Sequence, residues 1–205
     1  MTARMARDQW HPIDIAGRLV VLRRHVPANL EAVIRWYRDP ELARLSRYQT
    51  QPMDTDEVEH FFRTRLLSPD AFAYAIHERD TDRLVGLATF SNLDPDNGCA
   101  LFHITVGERD AWGRGMGTEA TALMVGHAFE VLGLHRVGLS VFAFNRRAIR
   151  AYERVGFRPE GRLREAIWRD GRFWDEIQMG LLADEWLAAR RQGNRVDDQM
   201  TTPAG

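Results

Sequence analysis

The apolar positions of this chain keep two periods, roughly two residues in some stretches and three to four in others, and the changes of period mark out its elements. Residues 18–24 (RLVVLRR) have strand character. Pro27 stands where helices begin, and Leu30, Val33, Ile34 and Tyr37 share one helical face before Asp39-Pro40 stops the helix. After an irregular stretch, Asp54 and Thr55 offer caps for a second helix striped by Val58, Phe61, Phe62, Arg65 and Leu66. Residues 72–78 and 84–92 alternate on either side of Asp80-Thr81-Asp82, which predicts a hairpin. The turn residues Asp94-Pro95-Asp96-Asn97-Gly98 then lead into a strand over 100–106.

The second half changes rhythm. A helix is expected over 118–132, with Ala122, Val125, Phe129 and Leu132 on one face and Gly133 ending it. A strand over 136–142 and a helix over 146–155, closed by Gly156, follow. Strand, helix and strand at this spacing form a parallel crossover. Strands over 157–168 and 173–182 turn at Asp170-Gly171, and Asp184 caps a short helix ending near Arg191. These elements predict an α+β fold: one mixed, mostly antiparallel sheet of about seven strands with helices on both faces. Residues 1–16 are expected to be a flexible arm, 17–191 the single domain and 192–205 a disordered tail.

The most informative stretch joins the strand ending Ile104-Thr105-Val106 to the helix after it. Its loop is Trp112-Gly113-Arg114-Gly115-Met116-Gly117-Thr118. Glycines on alternate positions remove every second side chain, so backbone N–H groups can converge ahead of a helix N-terminus. The helix dipole adds about half a positive charge there. A diphosphate suits such a loop. A nucleoside-triphosphate P-loop needs a Lys, and this chain has none. A dinucleotide site is matched by Gly115, Gly117 and Ala120, but it also needs a carboxylate at the end of the next strand, where Val141-Phe142-Ala143-Phe144-Asn145 has none.

Composition narrows the class. With 205 residues, 44% hydrophobic content and a formal net charge of −1, the chain reads as one globular domain without a polyanion-binding bias, so neither nucleic acid nor membrane is an expected partner. Its single Cys, Cys99, forms no internal disulfide, and no Cys/His spacing suggests a metal. No leader or membrane span is visible, and a cytoplasmic location is expected. Without Lys, neither a Schiff base nor a lysine base can operate.

The run Trp112-Gly113-Arg114-Gly115-Met116-Gly117 resembles the coenzyme A pyrophosphate loop of the GNAT (GCN5-related N-acetyltransferase) superfamily. Trp in the first position, with Thr118-Glu119-Ala120 after the loop, is similar to the ribosomal-protein N-terminal acetyltransferase (RimJ/RimL-type) branch. A second stretch, Asn145 through Ala148 and Tyr152 to Gly156-Phe157, resembles the other signature of the superfamily. The resemblance implies acetyl-CoA as cosubstrate and a small-molecule or peptide amine as acceptor, with homodimerisation as a further expectation. It implies that the pantetheine arm lies beside Ile104, Thr105 and Val106, that Asn145 hydrogen-bonds the arm, and that Tyr152 gives its phenolic proton to the departing sulfur. Arg146, Arg147 and Arg150 are candidates for the 3′-phosphate, or are solvated.

The general base is not legible. The related branch carries Glu where this chain has Leu101. His103, two positions on, is a candidate because imidazole titrates near neutrality, and a structural strand histidine is the competing reading. Acyl transfer to an amine and acyl-CoA sensing without turnover both remain open.

Overall fold

The computed structural model describes residues 14–200, with side chains to residue 191. Its eight strands are β1 (Asp14–Ala16), β2 (Val20–Arg24), β3 (Ala73–Glu78), β4 (Leu84–Asp94), β5 (Cys99–Val106), β6 (Arg136–Phe142), β7 (Arg158–Arg169) and β8 (Arg172–Leu182). They form one sheet in the order β1-β2-β3-β4-β5-β6-β8-β7. Only β5 and β6 run parallel; every other neighbouring pair is antiparallel. The expected α+β class and mixed sheet are therefore present, with one strand more than expected.

That strand is β1, whose residues the sequence assigns to a loose arm. Asp14, Ile15 and Ala16 pair with Arg23, Leu22 and Val21. Three residues carry too little alternation to be read as a strand. The rest of the arm, 1–13, and the end of the tail, 201–205, lie outside the described residues.

Helices cover both faces. On one, α1 (Leu30–Tyr37), α2 (Pro40–Ser46) and α3 (Thr55–Phe61) pack Val33, Trp36, Leu42 and Val58 against Ala73 and Leu87. Asp39-Pro40 does more than stop α1. Asp39 accepts the amides of Glu41 and Leu42 at 2.8 and 3.2 Å, and Pro40 supplies the first turn, so the pair also starts α2. A capping box between Asp54 and Glu57 begins α3, which continues as a π-helical turn over Phe62–Leu66.

On the other face lie α4 (Met116–Glu130), α5 (Arg146–Val155) and α6 (Ala183–Met200). Met124, Val125 and Ala128 of α4 and Ile149 of α5 pack against Leu22, Ile76 and Phe102 of the sheet. The last helix does not stop near Arg191 but runs on to Met200. None of the described helices is long and apolar enough to cross a membrane.

The feature that positions the site is a divergence in the middle of the sheet. β5 pairs with β6 only at Cys99, Ala100 and Leu101, opposite Arg136, Val137 and Gly138. Beyond that point β5 stays with β4 as far as Val106 opposite Gly86, while β6 stays with β8 as far as Phe142 opposite Glu176. A bulge in β4 between Ser91 and Asp94 accompanies the separation; such bulges bend a strand and sharpen its twist.

Candidate active site

The diverging strands open a cleft of about 1210 Å³ that runs from the glycine loop to α2 and α3. Along one wall lie residues 101–106 of β5, and along the other residues 139–142 of β6. Ile104, Thr105 and Val106 thus present to the cleft a strand edge that β6 does not pair.

At one end stands the loop. α4 begins two residues earlier than the sequence suggests, so Gly117 belongs to its first turn rather than to the loop. Gly115 is the N-cap at φ +86°, a left-handed conformation that favours glycine, and no side chain caps the helix. The first loop-to-helix bond is Glu119 N–H to the Gly115 carbonyl. Met116, Gly117 and Thr118 therefore hold the orphan first-turn donors. Gly113, Gly115, Gly117 and Thr118 line the cleft. Met116 instead buries its side chain in the core, and Arg114 turns away to pair with Glu78 at 2.8 Å.

Trp112 has a structural reason for its place. Its indole N–H donates to the Val106 carbonyl at 2.7 Å, tying the loop to the end of β5. The Arg147 guanidinium lies 3.8 Å from the centroid of the ring. Arg147 and Arg154 line the cleft, spaced at 147, 151 and 154 with Ala151 along one side of α5. Arg150 is exposed and does not line it. The helix phase thus keeps Arg147 of the three arginines expected there, adds Arg154, and leaves Arg146 and Arg150 out.

Asn145 caps α5, its Oδ1 accepting from Ala148 N–H at 3.2 Å, and its Nδ2 donates to the Leu45 carbonyl at 3.3 Å. One amide hydrogen is left for another partner. Tyr152 lines the cleft one turn after Ala148, its ring edge-on to Phe157 at 6.0 Å. Burial pushes its phenol up to about 12. Against a thiol of about 8.5, complete proton transfer from that phenol is uphill by about 5 kcal/mol. For an ordinary phenol of about 10 the mismatch would be smaller.

His103 lies on the face of β5 toward α1 to α3, open to the cleft, with Nε2 2.7 Å from Ser91 Oγ. Loss of water around it lowers its pKa, so the ring is neutral at pH 7. The same face carries a pair that sequence reasoning missed. Glu176 of β8 is only 4% exposed, and it accepts a hydrogen bond from the hydroxyl of Tyr48, whose residue is 65% exposed and lines the same cleft. No sequence signal points to it, because the partners are 128 positions apart. Among the described residues no group of His, Cys, Asp or Glu is arranged to hold a metal ion.

A splayed parallel strand pair with an uncapped glycine loop at its end is an arrangement with relatives. Residues 19–158 match the family described as acetyltransferase (GNAT) domain. The chain belongs to the GNAT acetyltransferase family. It is 25% identical over 169 residues to the uncharacterized N-acetyltransferase p20 of Bacillus licheniformis, covering 82% of this chain and 94% of that protein. Over 144 residues it is 24% identical to the spermidine N(1)-acetyltransferase of Vibrio cholerae, covering 70% and 82%. In three dimensions it resembles the crystal structure of spermidine N-acetyltransferase from Vibrio cholerae in complex with CoA and spermine, with a TM-score of 0.74 over 83% of this chain and 99% of that one, at 21% identity. As a GNAT N-acetyltransferase the chain uses acetyl-CoA, and its cleft has the parts such a cosubstrate needs. The orphan amides of α4 suit the diphosphate, Arg147 and Arg154 add positive charge beside them, and the unpaired edge of β5 suits an extended amide-bearing arm.

Proposed function

We propose that this chain transfers the acetyl group of acetyl-CoA directly to a primary amine of low basicity, such as a peptide α-amine, as in the ribosomal-protein branch that its loop resembles. The observation that carries the reading is the divergence of β5 from β6 beyond Leu101, which leaves a strand edge leading from the amides of α4 into the cleft. Acetyl-CoA supplies an activated thioester carbonyl. Met116, Gly117 and Thr118 bind the diphosphate through their amides, and Ile104 to Val106 orient the arm. Tyr152 donates a hydrogen bond to the sulfur as negative charge develops there, without giving up its proton.

Charge supports the choice of acceptor. The cleft is lined by Arg47, Arg65, Arg147 and Arg154 against Asp70 and Glu176, so a polycation finds no acidic excess. Deprotonation acts in the same direction. At pH 7 an amine with a pKa of about 10.4 costs about 4.6 kcal/mol to deprotonate, and an α-amine of about 7.8 costs about 1.1 kcal/mol. With an alanine-initiated peptide, kcat/KM should rise with pH until that α-amine is deprotonated, and it should exceed the value for spermidine at pH 7. His103→Ala should change it by less than about tenfold, since loss of water makes the imidazole a weaker base and its Nε2 is already engaged by Ser91 Oγ. Thiol release across a panel of peptides, polyamines and aminoglycosides tests the whole reading. A marked preference for spermidine refutes the acceptor assignment, and tight acetyl-CoA binding with no transfer to any amine favours a sensor.

The homodimer is proposed through the β7–β8 hairpin, where Trp168 and Phe173 are 55% and 56% exposed and meet edge-on at 4.7 Å. Light scattering at micromolar concentration should return twice the chain mass, and Trp168→Arg should halve it.

A further inference from the structure

We propose that Tyr48 and Glu176 form a proton relay that receives the acceptor's proton during acetyl transfer. The inference rests on the acyl-transfer reading above and assigns the base that the sequence leaves open. On β8, Ile177, Met179 and Leu181 pack into the core with α4 and α5, so the alternate residue Glu176 faces the α1-to-α3 side. Leu101, where the related branch carries its acid, and His103 alternate in the same way with the core residues Ala100 and Phe102 of β5.

Glu176 is a nearly inaccessible carboxylate in the wall of the cleft, and the Tyr48 hydroxyl links it to the cleft's open volume. Desolvation of a carboxylate is costly, and a single phenolic bond at the rim is a modest return for it. The hydroxyl is held in place from several directions. Arg169 donates to the carbonyls of Arg47 and Tyr48, the latter at 2.7 Å. Arg44 pairs with Asp170 at the hairpin turn, and Asn145 holds the Leu45 carbonyl. The Tyr48 ring stands edge-on to Phe142 at 5.6 Å, and Phe142 is the β6 residue at the mouth of the strand divergence. A tyrosine that is open to solvent yet fixed at both backbone and hydroxyl is built to meet a ligand.

The step balances. Attack of the amine on the thioester carbonyl makes the C–N bond and breaks the C–S bond, and the nitrogen must lose one proton. An N–H of the acceptor donates to the Tyr48 oxygen. As the N–H bond breaks, a new O–H bond forms at Tyr48, whose own proton passes to Glu176 Oε1. The proton ends on the carboxylate, and Tyr48 is a phenol before and after. Burial and the Glu176 carboxylate push the Tyr48 phenol up to about 12, so tyrosinate is not a resting state and the two transfers occur together.

Glu176→Gln distinguishes a relay from a latch, because the amide oxygen still accepts the Tyr48 hydrogen bond while the proton-accepting charge is gone. With acetyl-CoA and an alanine-initiated peptide or spermidine, whichever the unaltered chain acetylates faster, kcat/KM is expected to fall by roughly 100- to 1,000-fold. The calorimetric Kd for acetyl-CoA should stay within about twofold. Tyr48→Phe, which keeps the ring against Phe142, should remain folded by thermal unfolding and show the same loss, and the double variant should be no worse than either single one. Activity in Glu176→Gln or Tyr48→Phe within a few-fold of the unaltered chain overturns the relay alone. No thiol release by the unaltered chain with any amine overturns acyl transfer, and the relay with it.

Discussion

Tyr152→Phe should lower turnover by roughly 100- to 1,000-fold while leaving the affinity for acetyl-CoA nearly unchanged. Among the described residues the hydroxyl makes no hydrogen bond: the ring packs edge-on to Phe157 at the margin of the core, and the residue lines the cleft. Removing one oxygen therefore leaves the packing intact and takes away a donor that matters most when the sulfur becomes a thiolate. A group needed in the transition state and not in the ground state lowers kcat without raising KM. With the phenol near 12, Tyr152 remains protonated throughout the working range, so it contributes no titration of its own below about pH 10. Single-turnover rates, which isolate chemistry from product release, are the measurement. Wild-type rates for Tyr152→Phe under those conditions sink the role, and a parallel loss of acetyl-CoA affinity recasts Tyr152 as a packing residue.

What was legible in the sequence was local. Alternate glycines at 113, 115 and 117 around the start of an apolar helix mark out its uncapped first-turn donors, because the turn, the donors and the dipole all come from one continuous stretch. Tyr152 could be placed for the same reason, four residues after the Ala148 amide that Asn145 caps. Arg150 shows the limit. Ile149 and Val155 mark the buried side of α5, and that phase, combined with Tyr152, selects Arg147 and Arg154 over Arg150. Asp39-Pro40 was read only as a stop because a proline breaks the helix before it; that the same two residues cap and start α2 depends on where the chain turns next. Glu176 and Tyr48 were invisible, since a glutamate in an alternating strand normally faces water and only the tertiary fold sets α2 over β6 and β8.

Gly117→Val should weaken acetyl-CoA binding by roughly 10- to 100-fold, the loss of about one hydrogen bond to a charged group. Gly117 is the second residue of α4, with its amide among the uncapped donors. A Cβ there would lie 3.2 Å from Val106 Cγ2, tight enough that the side chain must press on the end of β5, and a bulky side chain is added beside the uncapped donors. Gly115 is the less informative target: at φ +86° any β-branched residue is strained, so Gly115→Val would disturb the N-cap itself. Gly117 carries no such backbone requirement, and thermal unfolding should show Gly117→Val folded. S-acetylpantetheine, which has the thioester and the arm but no diphosphate, separates the two consequences of the substitution. If the glycine serves the diphosphate, Gly117→Val and the unaltered chain should turn over S-acetylpantetheine at similar rates while differing on acetyl-CoA. Equal losses on both donors would mean that the pressure on Val106 has distorted the strand edge, and an unchanged acetyl-CoA affinity in folded Gly117→Val would remove the diphosphate from this loop.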